Sequence, residues 1–356
     1  MSFRSLDQTD PVDWNSLADY LARNGVAGRF AAPRQFAGGL GNWNYLLEIG
    51  KSRFVLRRPP DGPLPVGAND MARENRILSR LHRHFPLAPE VRLYCEDAGV
   101  IGAPFLLMEY REGFVVRSTI PAAYGAICTG EILTSDAIDV LTALHALDPD
   151  VVGVRDLGRP EGMVERQARN WRMRAEAAFD ARLPTRLQEV SQWLSRPAPL
   201  AQRVSILHSD FKFDNLILDP TNGKPVALID WDMSTLGDPL LDVATFLSYW
   251  IEPDDPPEIH SLRQMPTASG DFPCRAEVLA VYAKRSGLDV SDFGYYRILA
   301  LFKLCVVFQQ LYQRYLQGLT QDGRAASFAP LIAGLVAFTA STLERLLRDF
   351  QGDFVV

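Results

Sequence analysis

The chain has 356 residues, of which 47% are hydrophobic and 22% charged, and its formal net charge is −6. This length allows two lobes with ample buried core, and the composition is that of an ordinary globular enzyme. The negative charge argues against broad nucleic-acid binding, which needs a clustered basic face. The polar N-terminus and the shortness of the apolar segments predict a cytoplasmic protein without a signal peptide or a membrane span.

A short helix and two strands are the first predicted elements. Apolar residues recur at helical spacing over residues 13–24, and residues 45–49 and 53–56 are predicted to be two strands joined by a turn at residues 50–52. A glycine-rich stretch, residues 38–41, precedes the strands. Such a stretch lets backbone N–H groups approach phosphate oxygens, although a simple hairpin bend would use the same residues.

The second of these strands continues into two arginines. Strand alternation puts Val55 and Arg57 on one face and Arg58 on the other. A guanidinium is a planar fork that can hold two phosphate oxygens at once. We therefore prefer Arg57 as the phosphate-binding candidate, with Arg58 as its rival.

The remaining elements outside the central region are mostly helices. We predict helices over residues 70–82, 133–147, 162–194, 292–317 and 328–350, and a buried strand over 105–110. His145 is expected to be a packed histidine at a helix end. The segment with Arg166, Gln167 and Trp171 is either structural or lines a cleft. The acidic loop over residues 252–258 is either solvated or attracts a cationic substrate.

The central region, residues 205–242, contains a predicted hairpin. Two short apolar runs are joined by the turn-rich residues 219–223, which include Asn-Gly. If the hairpin is symmetric about the Asn222–Gly223 bond, Asn215 faces Asp230, with Cα atoms roughly 4.5–5.5 Å apart. Two prolines near the turn leave open a wider loop and a register that differs by one residue.

Oxygen-bearing side chains around this hairpin indicate phosphoryl transfer. An amide and a carboxylate, here Asn215 and Asp230, suit Mg²⁺, which is usually held by one or two carboxylates plus substrate phosphates. Asp210 lies five residues before Asn215 and is a candidate to take the proton of an attacking hydroxyl. This H-x-D-x-x-x-x-N pattern, followed by a strand and Asp, is the layout of protein-kinase-like enzymes.

The block HSDFKFDNLIL…ALIDWDMSTLGDPLLDVA resembles the aminoglycoside phosphotransferase-like, or choline kinase-like, family of small-molecule kinases. It is most similar to the branch that is fused to acyl-CoA dehydrogenases in animals, and the resemblance extends from about residue 30 to 345. It implies an α+β, bilobal, protein-kinase-like fold. Residues 1–110 would form a nucleotide-binding lobe with an antiparallel sheet, and residues 111–356 a larger, mostly helical lobe for catalysis and acceptor binding.

The resemblance also implies a nucleotide site in the first lobe. Gly39, Gly41 and Asn42 match the loop that covers the nucleotide, although the family often has Ser where Gly41 stands. The strand that ends at Glu109 and Tyr110 matches the hinge, whose backbone groups hydrogen-bond the adenine edge. This leaves ATP and GTP as alternative cofactors.

In the same way, Val55 would contact the adenine and Arg57 would reach the phosphates. Arg57 stands where the wider kinase pattern has Lys. Glu74, on the helix predicted over residues 70–82, matches the carboxylate that orients this cation.

For the catalytic loop, the resemblance implies that His208 fixes the loop by hydrogen bonding and that Asp242 holds its backbone. Lys212 would steady the γ-phosphate beside the base Asp210. Asp238, which precedes a proline, is also a good helix N-cap.

Together these features predict an ATP- or GTP-dependent and Mg²⁺-dependent phosphotransferase acting on a hydroxyl of a small molecule. The fused relatives suggest a hydroxyacyl acceptor, and the acidic loop suggests an amino-alcohol or an aminoglycoside. A non-catalytic nucleotide-binding module is the alternative of another class. A protein kinase is disfavoured because residues 231–245 lack the D-F-G and A-P-E landmarks. We expect no nucleic-acid or membrane partner, and the oligomeric state is left open.

Overall fold

The computed structural model describes residues 3–5, 9, 12–37, 41–61, 69–319 and 323–352, except for the side chains of 350–352. Gly39 lies outside these residues, so its predicted role is not addressed. The helices are α1 (Trp14–Arg23), α2 (Met71–Leu81), α3 (Gly130–His145), α4 (Pro149–Val152), α5 (Met163–Ala178), α6 (Thr185–Trp193), α7 (Leu240–Ser248), α8 (Pro257–His260), α9 (Arg275–Ser286), α10 (Phe293–Leu316) and α11 (Phe328–Gly352). The strands are β1 (Arg34–Gln35), β2 (Trp43–Ile49), β3 (Ser52–Arg58), β4 (Val91–Cys95), β5 (Phe105–Glu109), β6 (Ser205–Leu207), β7 (Leu216–Leu218), β8 (Pro225–Leu228) and β9 (Thr235–Gly237).

The chain divides into two compact units, each built from separate stretches of sequence. The first, which we call the sheet unit, comprises Met1–Val115, Leu147–Leu157 and Asn215–Ser234. The second, the helical unit, comprises Val116–Ala146, Gly158–Asp214 and Thr235–Val356. The predicted domain boundary after residue 110 stays a prediction.

An antiparallel sheet organises the sheet unit. In the described part of the chain it has five strands in the order β1-β2-β3-β5-β4. Helix α1 packs its buried Leu17 and Leu21 against sheet residues such as Tyr45 and Phe105. Because β3 is the middle strand, Arg57 near its end is held by pairing on both sides, opposite Asn44 and Leu106.

The hairpin β7-β8 belongs to the same unit, and its register corrects our symmetric prediction. Leu216 pairs with Leu228, and the Ile229 N–H donates to the Asn215 carbonyl at 2.9 Å. Asn215 is therefore opposite Ile229 and not opposite Asp230. The cause is the wider loop, because Asp219 N–H donates to Lys224 O at 2.8 Å. Pro225 then starts the returning strand, with a register shift after Ile217.

In the helical unit, a short strand pair leads into the segment that begins at His208 and into the segment that begins at Asp238. Strands β6 and β9 are antiparallel, with Ser205 opposite Gly237 and Leu207 opposite Thr235. His208 follows β6 directly, and Asp238 follows β9 directly before α7 begins. Helix α10 packs against α5, α7 and α11, so this long helix forms the centre of the unit.

Most predicted elements are present with bounds shifted by a few residues. The segment 162–194 forms two helices, α5 and α6, because the chain takes a left-handed turn at Asp180 and Ala181, with φ of 49° and 57°, and Pro184 precedes α6. The short strands β1, β4, β6 and β9 were not predicted. Among the described residues, the helical segment Gly323–Asp349 is long and apolar enough to cross a membrane by length and composition. Of its most apolar 18-residue stretch, 56% is buried inside the protein.

Candidate active site

Arg57 is the centre of an ion-pair cluster in the sheet unit. Its Nε donates to Glu74 Oε2 at 2.7 Å, which is the ion pair predicted from the position of Glu74 on α2. Its Nη2 donates to Asp230 Oδ1 and lies 3.7 Å from Asp232 Oδ2. Three carboxylates thus surround one buried guanidinium. The rival Arg58 instead pairs with Asp61 and donates to the carbonyl of Ile101 at 3.1 Å.

The pKa values of both Glu74 and Arg57 are raised in this cluster. Burial raises the pKa of Glu74 to about 7, since desolvation and the negative charges of Asp230 and Asp232 outweigh the attraction of Arg57. The pKa of Arg57 is raised despite its burial, because the same carboxylates stabilise its charged form. The cluster therefore carries an excess of negative charge that an added cation would neutralise.

Asp230 has a strained backbone that is fixed by its neighbour. Its φ is +72°, in the left-handed region that residues other than glycine rarely adopt. Trp231 is fully buried, its Nε1 donates to Leu228 O at 2.7 Å, and its backbone N–H donates to Glu74 Oε1 at 3.4 Å. Strained residues of this kind are concentrated at functional sites. The buried tryptophan thus holds the backbone that aims the Asp230 side chain.

Asp232 is a site residue that sequence reasoning missed. It accepts from Asn42 Nδ2 at 3.2 Å, and Asn42 Oδ1 accepts from Asn69 Nδ2 at 2.9 Å. Gly41 fits closely here, because a Cβ on it would lie 3.3 Å from Asn69 Nδ2. This network joins the end of the glycine-rich stretch to the Asp230–Asp232 segment. The D-W-D pattern, in which two carboxylates alternate, was the sequence signal that could have indicated Asp232.

These oxygens suit a hard cation. Among the described residues, no three His, Cys, Asp or Glu side chains form a metal-binding group. A divalent ion would thus rely on the carboxylates of Asp230 and Asp232, the amide oxygen of Asn215, and phosphate oxygens. Asn215 is buried, and its carbonyl pairs with the residue just before Asp230. That donor set fits Mg²⁺, and the metal assignments of Asn215 and Asp230 remain predictions.

The predicted adenine-contacting residues lie on adjacent strands of the same sheet. Val55 on β3 pairs with Met108 on β5, two residues before Tyr110. The Glu109 N–H is already donated to Glu90 O at 2.9 Å, so this group is not free for a nucleotide. The Arg53 guanidinium lies 4.7 Å from the centre of the Tyr110 ring. The nucleotide contacts themselves remain predictions.

In the helical unit, Asp242 holds the loop that contains the candidate base. The buried carboxylate accepts the backbone N–H of His208 at 2.7 Å and that of Ser209 at 2.8 Å. Burial alone would raise its pKa, but hydrogen bonding to His145 and the charges of His145 and His208 lower it. Asp242 is therefore an ionised anchor, as the resemblance implied.

The loop itself is strained immediately before Asp210. Ser209 has a φ of +68°, and the Asp210 N–H donates to Nδ1 of the fully buried His208 at 3.3 Å. Lys212 Nζ lies 3.2 Å from Asp210 Oδ2 and 3.6 Å from Asp214 Oδ1. His208 thus orders the loop, and Lys212 is beside the candidate base. Their catalytic roles stay predictions.

His145 has a structural role that its sequence position only partly indicated. It is fully buried, its Nε2 lies 3.2 Å from Asp242 Oδ2, and its Nδ1 lies 2.8 Å from Tyr282 Oη. The expected packed histidine is therefore also the support of the loop anchor. Asp238 is comparable: it accepts from Leu240 N–H at 2.9 Å at the start of α7 and from Tyr296 Oη at 2.8 Å.

The acidic loop is not a free anionic surface. Arg275 Nη1 lies 2.6 Å from Glu252 Oε2, and Arg275 Nη2 pairs with Asp255. The same guanidinium also donates to the Trp250 carbonyl at 3.0 Å from Nε. Two of the acidic side chains of the loop are thus ion-paired with one arginine within the protein. This weakens the interpretation that the loop attracts a cationic substrate.

Comparison with known proteins identifies the family. The model of the APH phosphotransferase enzyme family matches residues 33–278, which is more than half of the chain. The chain belongs to this phosphotransferase family. It is also 30% identical to acyl-CoA dehydrogenase family member 11 of Gallus gallus over 340 residues, covering 91% of this chain and 42% of that protein. This chain therefore spans less than half the length of that relative.

Solved structures of other proteins share the fold of this chain. A Ralstonia eutropha JMP134 protein described as an aminoglycoside phosphotransferase is similar with a TM-score of 0.74 and 24% identity, covering 93% of this chain and 99% of that one. Aminoglycoside phosphotransferase APH(4)-Ia, in a ternary complex with ADP and hygromycin B, has a TM-score of 0.56 and 18% identity, covering 90% of this chain and 98% of that one. The predicted α+β, protein-kinase-like fold is confirmed.

Proposed function

We propose that this phosphotransferase moves the γ-phosphoryl group of ATP or GTP, as the Mg²⁺ complex, to a hydroxyl of a small hydroxyacyl compound. The observation that carries the proposal is the cluster of Arg57 with Glu74, Asp230 and Asp232. Its composition is that of a phosphate- and metal-binding site, with one oriented cation and hard oxygen donors. The ADP complex of APH(4)-Ia supports the use of a nucleotide.

The sheet unit supplies the groups for the phosphates. Glu74 orients Arg57, whose guanidinium donates to phosphate oxygens and stabilises the charge that develops on them. Asn215, Asp230 and Asp232 would hold Mg²⁺, which would neutralise charge on the phosphate oxygens when bound. Since Arg57 already pairs with Asp230, nucleotide binding must redistribute this contact.

The helical unit supplies the base. The Asp210 carboxylate accepts the proton of the acceptor hydroxyl as the new O–P bond forms and the bond from the γ-phosphorus to the bridging oxygen breaks, which releases ADP or GDP. Lys212, whose Nζ lies 3.2 Å from Asp210 Oδ2, would steady the γ-phosphate. Asp242 and His208 hold the loop, so the base does not need to be ordered during the reaction.

The relatives and the acidic loop bear on the chemical class of the acceptor. The Gallus gallus relative is named for acyl-CoA, which supports an acyl-type acceptor carrying a hydroxyl. An aminoglycoside is the second candidate, supported by the hygromycin B in the APH(4)-Ia complex. It is less favoured because Glu252 and Asp255 are already ion-paired with Arg275.

A screen with γ-labelled ATP or GTP tests the proposal. Hydroxy acids, hydroxyacyl-CoAs, choline and aminoglycosides are offered as acceptors, with and without Mg²⁺. We expect Mg²⁺-dependent labelling of a hydroxy acid or hydroxyacyl-CoA. Labelling of aminoglycosides alone would show that the acceptor is an aminoglycoside and not a hydroxyacyl compound. Nucleotide binding without transfer to any acceptor would instead indicate a non-catalytic module.

A further inference from the structure

Lys303 is a cation in an otherwise apolar part of α10. Its neighbours Phe302, Leu304 and Cys305 are buried core residues, and a methionine of similar length would suit such a position. Burial lowers the pKa of Lys303, opposed by the negative charges of Asp210 and Asp242. Since burial of an ammonium group is costly, this lysine requires an explanation other than packing.

The contacts of Lys303 converge on the residue before the candidate base. Its Nζ donates to the Ser209 carbonyl at 3.4 Å and lies 5.8 Å from the centre of the Trp171 ring. The other charged groups that act on it are Arg174 and Lys212, which oppose its protonation. The contact with Ser209 therefore forms in surroundings that already contain positive charge.

Ser209 is held from both ends of its backbone. Its N–H donates to Asp242 Oδ1 at 2.8 Å, and its carbonyl accepts from Lys303. The residue is in the left-handed region, with a φ of +68°, a conformation that persists only where the surroundings impose it. The Ser209 carbonyl belongs to the same peptide group as the Asp210 N–H. Fixing that carbonyl thus fixes the start of Asp210.

We propose that Lys303 is a positioning residue for phosphoryl transfer. It holds the Ser209–Asp210 peptide group in the strained conformation that aims the Asp210 carboxylate. The inference rests on the proposed function, because the base role of Asp210 is part of it.

The test uses Lys303→Met, Lys303→Arg and, as a matched control, the exposed Lys284→Met on α9. Hydrogen–deuterium exchange of residues 205–214 is measured on the full chain and needs no acceptor. We expect Lys303→Met to raise exchange in this segment about tenfold, because a local hydrogen bond that opposes opening is lost. Lys303→Arg and Lys284→Met should exchange as the wild type does.

The second measurement is the steady-state kinetics of phosphoryl transfer, using the acceptor labelled in the screen, or water if none is labelled. With Lys303→Met we expect kcat to fall about tenfold and the nucleotide KM to stay unchanged, because the Asp210 carboxylate is no longer aimed. Lys303→Arg should keep the wild-type kcat.

Wild-type exchange and a wild-type kcat in Lys303→Met would overturn the proposal. A lower unfolding temperature without a fall in kcat would also overturn it, because that result describes packing alone. If Lys303→Met does not fold, Lys303→Gln is judged by the same criteria. Full turnover by Asp210→Asn would instead contradict the proposed function, and the exchange data would still decide whether Lys303 holds the loop.

Discussion

Replacing Asp242 by Asn tests whether this carboxylate anchors the catalytic loop. The wild-type side chain accepts from His208 N–H at 2.7 Å, from Ser209 N–H at 2.8 Å and from His145 Nε2 at 3.2 Å. Asparagine has one acceptor oxygen, and its NH₂ group would face a backbone donor. We therefore expect at least one buried N–H to lose its partner.

The magnitude follows from these contacts. A hydrogen bond to a charged group contributes about 1.5–3 kcal/mol, and removing one partner of a buried charged pair costs about 3–5 kcal/mol. We expect Asp242→Asn to lower the free energy of unfolding by about 3–5 kcal/mol, out of a total of about 5–15 kcal/mol. Turnover should fall by about 100-fold because the loop is no longer held.

Urea unfolding checks this loss, with the exposed Asp254→Asn as the matched control. The pKa of Asp242 is lowered from 3.8, so its contribution is present above this pH and is lost as the pH falls through the folded value. The difference between wild type and Asp242→Asn should therefore shrink in acid. A variant as stable as Asp254→Asn at neutral pH would refute the anchoring role.

Three further predictions concern the ion-pair clusters. Arg57→Met should lower kcat/KM by about 100–1,000-fold, since an electrostatic stabiliser of the phosphates is lost; steady-state kinetics measure this, and activity within tenfold of wild type would exclude the role. The pKa of Glu74 is raised to about 7, so the free energy of unfolding of the wild type should fall as the pH rises toward that value. Urea unfolding at about pH 5 and about pH 8 should show that this fall is smaller in Glu74→Gln than in the wild type. An equal fall in the two proteins would contradict the raised pKa. Arg275→Met should lower the free energy of unfolding by about 3 kcal/mol, because Glu252 loses its ion-pair partner. Calorimetry should show a nucleotide affinity equal to that of the wild type. A changed affinity would implicate the acidic loop in nucleotide binding.

Local patterns were sufficient to predict much of the fold and the candidate site. Amphipathic periodicity located α1, α2 and α10, and alternation correctly placed Arg57 and Arg58 on opposite faces of β3. The Arg57–Glu74 pair was predicted because the resemblance supplied a long-range contact that periodicity does not contain. The three-residue strands β6 and β9 were missed because so short a run has no distinctive period, whereas the equally short β7 was predicted from the Asn-Gly turn that follows it.

The hairpin register and the supporting residues depend on tertiary detail. Pro220 and Pro225 indicated a wide loop, but the number of loop residues, and thus the partner of Asn215, is set by the bonds of Asp219. His145 looked like an ordinary core residue because its contact with Asp242 joins positions far apart in the sequence. Asp232 was overlooked because its contact with Asn42 joins positions far apart in the sequence, and the D-W-D pattern alone does not show that contact.

The most direct test of the central claim compares wild type with Asp210→Asn in single-turnover transfer from γ-labelled nucleotide and Mg²⁺, alongside nucleotide binding by calorimetry. Asp254→Asn again serves as the matched control. We predict that transfer by Asp210→Asn falls by several orders of magnitude while nucleotide affinity stays within a few-fold of wild type. Transfer at the wild-type rate by Asp210→Asn would contradict the assignment of this carboxylate as the base.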